Sequence, residues 1–189
     1  SWAMTTEEAE ADLDFLNRLP GKKILMKGNH DYWWSSLSKL NQLKQEKNLD
    51  SLFFMQTNSF YIEECKTVIA GTRGWHCIGD KDFSEDDLKI YKRELIRFEM
   101  SIKDAEKYNA QRMICVFHYP PFNAKYESSG FTELMKKSEI KECFYGHIHG
   151  IYGGVYNNFT EIPVSAAPDG IDCRLISADY ISFSPVKIV

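Results

Sequence analysis

Residues 112–121 read RMICVFHYPP. Met113 to Phe117 is an unbroken apolar run. Its length suits a buried strand and falls far short of the roughly 20 residues of a membrane span. The run passes directly into His118-Tyr119-Pro120-Pro121. Two further stretches repeat this grammar. KILMK (23–27) leads into Gly28-Asn29-His30-Asp31, and CFY (143–145) leads into Gly146-His147-Ile148-His149. In open α/β sheets, binding and catalytic groups collect at the carboxyl ends of strands. Three strands ending in Asn, His and His-x-His are therefore expected to bring these side chains to one edge. Four of the chain's 5 histidines are placed this way.

The flanking sequence supplies the other elements of an α/β fold. Thr5-Thr6-Glu7-Glu8 reads as a capping box, opening a helix that turns Ala9, Leu13 and Leu16 inward and stops at Pro20-Gly21. Leu37 to Asn48 reads as a helix with Leu37, Leu40 and Leu43 on one face. Ser84 caps a long helix whose first turn holds Glu85, Asp86 and Asp87, as the helix dipole favours. Its apolar positions, Leu88, Tyr91, Leu95, Phe98, Ile102 and Ala105, form one continuous stripe. Lys92, Arg93 and Arg97 fall outside the stripe and read as a solvated face. A short helix is expected over Phe131–Lys137. Strands are expected over KKILMK (22–27), Leu52–Gln56, Phe60–Ile62, Thr67–Ala70, RMICVF (112–117) and ECFY (142–145). The tail reads as short β segments: Gly153–Tyr156, Glu161–Ser165, Cys173–Ser177 and Tyr180–Phe183.

Composition bounds the rest. The 189 residues are 43% apolar and 26% charged, with a formal net charge of -4. That suffices for one cored domain over 1–189 and excludes intrinsic disorder. The acidic balance argues against generic nucleic-acid binding, which needs a basic excess. The acidic start, SWAMTTEEAEADL, does not read as a secretory leader, and no membrane association is expected. Ser1 in place of Met suggests a processed chain, an expression scar or a fragment. The 5 cysteines include no CxxC pair and read as reduced thiols of a cytoplasmic protein.

The three strand-end motifs suggest metal chemistry. Neutral imidazole is the commonest transition-metal ligand, and the Asn29 carbonyl can join it. Singly, each motif has a plainer reading: His118 as a hydrogen-bonded structural histidine, His147 and His149 as a chance pair, GNHD as a turn. Together, each at a strand end, they point to a site. Two close metal ions would clamp and polarise a phosphoryl group and generate hydroxide near neutral pH. His30 beside Asp31 then fits a proton donor or charge stabiliser. Charge arithmetic leaves a gap, because Asn29, His118, His147 and His149 are all neutral ligands. Asp80, Asp82, Asp169 and Asp172 are available, but none ends a buried strand. Arg73 could bind a phosphate oxygen or form a structural salt bridge. Tyr32-Trp33-Trp34 could wall the site or pack in the core. His76 and Cys77 read as loop residues.

GNHD, HYPP and GHIH, in this order and at these separations, resemble the calcineurin-like metallophosphoesterase superfamily. GTRGW (71–75), RELIRFEMS (93–101) and LISADYISFSP (175–185) resemble a bacterial branch of predicted phosphohydrolases within it. The resemblance runs from about Ala9 to the end of the chain. It implies a four-layer α/β/β/α sandwich and a dinuclear centre of two divalent transition-metal ions (Mn, Fe, Zn or Ni), where metal-activated hydroxide attacks the phosphorus of a phosphoric ester. By this resemblance, Asn29, His118 and His147 bind the second metal and His149 the first. His30 contacts the phosphate and assists leaving-group departure, supported by Asp31. The substrate would be a small-molecule phosphate ester or a nucleotide. The superfamily's Asp-x-His motif on its first strand and Gly-Asp motif on its second have no counterpart ahead of GNHD in this sequence, and in relatives a stretch like SWAM follows that Gly-Asp. The resemblance therefore implies an N-terminally truncated domain carrying part of the site. Two other readings stand beside the hydrolase: a non-catalytic metallophosphoesterase-like fragment and a protein-interaction scaffold. Loss of two strands would expose apolar edges, so a homo-oligomer or a donated strand is expected to cover them.

Overall fold

The structure, a computed structural model, describes residues 2–152, 155–156, 165–166 and 168–188; for 151–152, 155–156 and 165–166 it describes the backbone only. The chain is α/β with a mostly parallel main sheet. Helix α1 (Thr6–Arg18) starts where Thr5 Oγ1 accepts the Glu8 N–H. Strand β1 (Lys23–Met26) follows, then α2 (Leu37–Glu46), β2 (Leu52–Met55), β3 (Phe60–Ile62) and β4 (Thr67–Thr72). The long helix α3 (Glu85–Ala105) leads to β5 (Arg112–Phe117), and α4 (Gly130–Lys137) leads to β6 (Glu142–Tyr145). The short pair β7 (Ile151–Tyr152) and β8 (Val155–Tyr156) precedes β9 (Ser165–Ala166) and β10 (Asp172–Leu175). The expected strand segments 153–154 and 161–164 lie outside the described residues.

Six strands form the main sheet, in the order β3-β4-β5-β6-β10-β9. β4, β5, β6 and β10 run parallel, and β3 and β9 are antiparallel at the two edges. Helices α3 and α4 cover one face, where Phe98, Phe117 and Phe131 meet ring to ring. The register aligns Cys115 with Cys143 and Cys143 with Cys173. Strand alternation puts all three thiols on the face that carries Phe117, and all are fully buried. On the other face, Gly71 of β4 meets Met55 of β2. A Cβ at Gly71 would lie 3.0 Å from Met55 Sδ and only 2.2 Å from the Val116 carbonyl oxygen. Only glycine permits that approach.

β1 and β2 form a separate parallel pair. Its core is Ala9 and Leu13 from α1, Leu40 and Leu43 from α2, and Leu52, Phe54, Trp33 and Trp34. Trp33 and Trp34 therefore belong to the core, while Tyr32 is exposed with its ring 6.3 Å from that of His30.

Three further expectations are corrected. KILM was expected to be a buried strand, yet each of its four residues is half-buried. Among the described residues β1 pairs only with β2, and a strand with one neighbour keeps part of its surface open. Tyr180–Phe183 is a chain of turns, with Phe183 N donating to Ala178 O at 2.7 Å and left-handed φ at Ser182 and Phe183. Arg97 is not simply solvated: its side chain is 27% exposed and bonds Glu94 Oε1 at 2.8 Å. Glu94 lies on the inner side of α3, fully buried. Among the described residues no helix is long and apolar enough to cross a membrane, and all five cysteines are free.

Candidate metal and phosphate site

The loops that leave β1, β5 and β6 converge, although β1 belongs to a sheet of its own. After β1 the chain turns tightly. The Asp31 carboxylate accepts the Gly28 N–H at 2.7 Å and the Trp33 indole N–H at 3.1 Å. A side chain at Gly28 would press on Asp31 Oδ2 and His118 Cε1, both 3.2 Å from its Cβ, so the glycine lets the loop close on the histidine. After β5, His118 N and Tyr119 N both donate to Arg73 O, at 3.1 and 2.9 Å. After β6, Gly146 N donates to Phe117 O and His118 O. His147 then takes a left-handed φ of 70°, a conformation that costs a non-glycine residue on the order of 1 kcal/mol. That strain turns its ring onto His118.

The result is a cluster of three donor atoms. His118 Nε2 lies 2.8 Å from Asn29 Oδ1, and His147 Nδ1 lies 3.2 Å from His118 Nε2. Burial, the largest cause, holds both imidazoles down to about 4; His149 and His30 add to the effect, and the Asp31 charge opposes it at His118. Both rings are therefore neutral near pH 7 and offer lone pairs. A hydrogen on His118 Nε2 serves one of these contacts well and leaves the other poorly served. A cation accepted by all three lone pairs would satisfy them together, and an O, N, N donor set suits a divalent transition metal. The residues present thus fit one such ion. They supply less for a second. His149 is 67% exposed and turns its Nδ1 to Asp179 Oδ1 at 2.9 Å. Among the described residues no three His, Cys, Asp or Glu side chains form a metal-binding group.

His30 and Arg73 each bring an unsatisfied atom. His30 Nδ1 is buried without a partner, so Asp31 does not orient it through that nitrogen. The Trp2 indole stacks on the His30 ring at 3.9 Å. The Arg73 side chain is 10% exposed, and its Nη2 lies 3.4 Å from Glu94 Oε1, a long contact. Its Nε is buried and unpaired, and its guanidinium sits 4.5 Å above the Trp75 ring. Better contacts hold Glu94: Arg97 Nη1 at 2.8 Å and the Thr72 hydroxyl at 2.7 Å. Arg93 Nε comes within 3.5 Å. The Lys27 ammonium is pulled below the ordinary lysine value by burial first, then by Arg73 and Arg97. Three arginines therefore share one buried carboxylate, and Lys27 feels both Asp31 and Glu94.

Two residues of this region were not foreseen from the sequence. Asp179 lies in the loop after β10, four residues past its end, so a search of strand-end loops for carboxylates could have found it. It orients His149 and accepts the Gly150 N–H at 2.6 Å, the bond that chiefly lowers its carboxyl below the usual range. His76, read as a plain loop residue, lies with its ring 5.1 Å from Tyr119 and 6.4 Å from His147. No protein-family profile, curated protein or solved structure matches the chain.

Proposed function

We propose that the chain carries the histidine-rich part of a metal-dependent phosphoric ester hydrolase of the metallophosphoesterase type, a cytoplasmic protein with that superfamily's four-layer sandwich. The observation that carries this reading is the convergence of Asn29 Oδ1, His118 Nε2 and His147 Nδ1 from three separate strand ends. These residues would hold one divalent ion, and His149, held by Asp179, would serve a second. When bound, the ions supply Lewis acidity toward the phosphoryl oxygens and lower the pKa of water. Arg73 and Lys27 would hold the non-reacting phosphate oxygens; guanidinium suits them, and the unpaired Nε has no other bond to lose. His30 would deliver a proton to the departing oxygen from its unpartnered Nδ1. The test is calorimetric titration with Mn or Zn, with hydrolysis of p-nitrophenyl esters followed in parallel. One ion per chain is expected to bind at the trio. His118→Ala should lower that affinity by about 100-fold or more, beyond what loss of an outer-shell partner does, and abolish hydrolysis. Unchanged ion binding in the variant overturns the reading.

A second reading, a non-catalytic scaffold of the same fold, draws on one observation: His149 bonds to Asp179 and does not join the trio. Metal-independent capture of one defined protein partner by the His118→Ala variant would support it.

A further inference from the structure

Beside His147 lies a cavity of about 160 Å³. Its walls include Trp75, His76, Tyr119, Phe122, Tyr126 and His147. The rings brace one another: Tyr119 lies 4.1 Å from His147 and 4.9 Å from Trp75, centroid to centroid. Arg73 holds the far face of Trp75 by a cation–π contact, and the Trp75 N–H donates to Asp87 at 2.9 Å. The wall is thus fixed from behind.

Two polar side chains on the rim, Asp80 and Asn123, are already engaged. Asp80 accepts the Cys77 N–H through one oxygen and the Ala124 N–H through the other. Asn123 donates to Ile78 O and Glu127, and its carbonyl accepts the Lys125 and Glu127 N–H groups. These bonds tie the two loops together and leave Asp80 and Asn123 little to offer a sugar or a polyol. An apolar cavity of about 150 Å³ holds a single benzene ring, so this one has room for one ring.

We propose that this cavity binds one aromatic ring, the leaving group of an aryl phosphate ester. The assignment rests on the phosphohydrolase reading for the word ester, and on the cavity alone for the ring. His147 is the shared wall: its Nδ1 faces the donor trio and its ring faces Tyr119. A phosphoryl group at the trio and a ring in the cavity would then share His147 as a common neighbour. In the reaction, the oxygen of water bonds to phosphorus and the P–O bond to the ring breaks. The aryl oxygen leaves with the electron pair and takes up a proton, yielding a neutral phenol and inorganic phosphate. An apolar cavity favours that neutral phenol over a phenolate.

The experiment separates ring binding from chemistry. Fluorine NMR of 4-fluorophenol with the full chain reads the cavity without any phosphate present. Saturable binding is expected. Ala124→Phe, an exposed rim position, should weaken it by about tenfold or more by filling the cavity. His76→Ala should weaken it severalfold by removing a wall, and His118→Ala should leave it within about twofold. Cyclohexanol should compete more weakly than phenol, because it lacks the ring faces that aromatic walls prefer. No binding, equal competition by cyclohexanol, or binding unchanged in both rim variants overturns the proposal. In the second arm, phenyl phosphate should be hydrolysed with a kcat/KM about 100-fold above that of glycerol phosphate. Equal rates overturn the assignment of the ring as leaving group. Ring binding with no ester hydrolysed overturns the phosphohydrolase reading and leaves the ring site standing.

Discussion

β5 lies between β4 and β6 under α3, and Ile114, Cys115 and Phe117 on it are buried. β1 pairs with β2 alone among the described strands, and all four of its residues are half-buried. Both are short apolar strands that end in a loop bearing a candidate ligand. They differ in support. His118 and His147 stand on a sheet flanked on both sides and covered by two helices. Asn29 and His30 stand on a pair of strands with an open groove of about 340 Å³ between α1 and β1, lined by Leu13, Leu16, Leu25 and Trp33. The candidate site joins a well-buried half to a thinly supported one. Any loosening of the small sheet should therefore reach the asparagine before the histidines.

The strongest way to break this contrast is at the large sheet. Phe98→Ala empties a fully buried position that touches Phe117 and Phe131. It should cost about 3–5 kcal/mol, read as a fall in the denaturant midpoint for the whole chain. The weaker lesion is at the small sheet. Leu13→Ala should cost about 2–3 kcal/mol, at the low end for leucine, because the adjoining groove lets the site relax. Hydrogen exchange sharpens the comparison: in Leu13→Ala the β1 amides should exchange faster by local opening while the β5 amides keep their protection. Equal loss of protection in both strands would show that the two sheets open as one unit.

The smallest expected effect is acid-linked and sits at the start of α3. Bonds from Ser84, then Trp75, hold the Asp87 carboxyl down to about 2, against 3.8 for the free group. A depressed carboxyl contributes stability that is complete above pH 3.8 and lost as pH falls toward 2. Asp87→Asn should therefore lower Tm at pH 6 and converge with the parent near pH 2. A constant gap across that range would remove the charge from the account.

Much of this could be read in the residues, and the failures share a cause. The meeting of Asn29, His118 and His147 is legible because an apolar run followed by a polar residue is a local signal. The capping box at Ser84 is local too. What escaped depends on neighbours far along the chain. Glu94 falls on the helical stripe between Tyr91 and Phe98, but its burial rests on Arg73 and Arg97, which neutralise it, and on the Thr72 hydroxyl, which donates to it, and local sequence does not show those partners. The exposure of KILM follows from which strands flank it, not from its composition. Tyr180–Phe183 alternates like a strand, yet the turns that tie it to Ser177, Ala178 and Asp179 decide its path. His149 was paired with His147 by spacing, whereas Asp179, from the loop after β10, claims it.

The row of Cys115, Cys143 and Cys173 has a consequence for how the chain meets oxidants. Burial raises the thiols of Cys115 and Cys143 well above their ordinary pKa, and the thiolate is the form that reacts. Peroxide or an alkylating reagent in solution therefore meets Cys65, the one half-buried cysteine, long before the four buried ones. Chemical damage to the row becomes a record of how often the main sheet has come apart, written in sulfur and readable by mass.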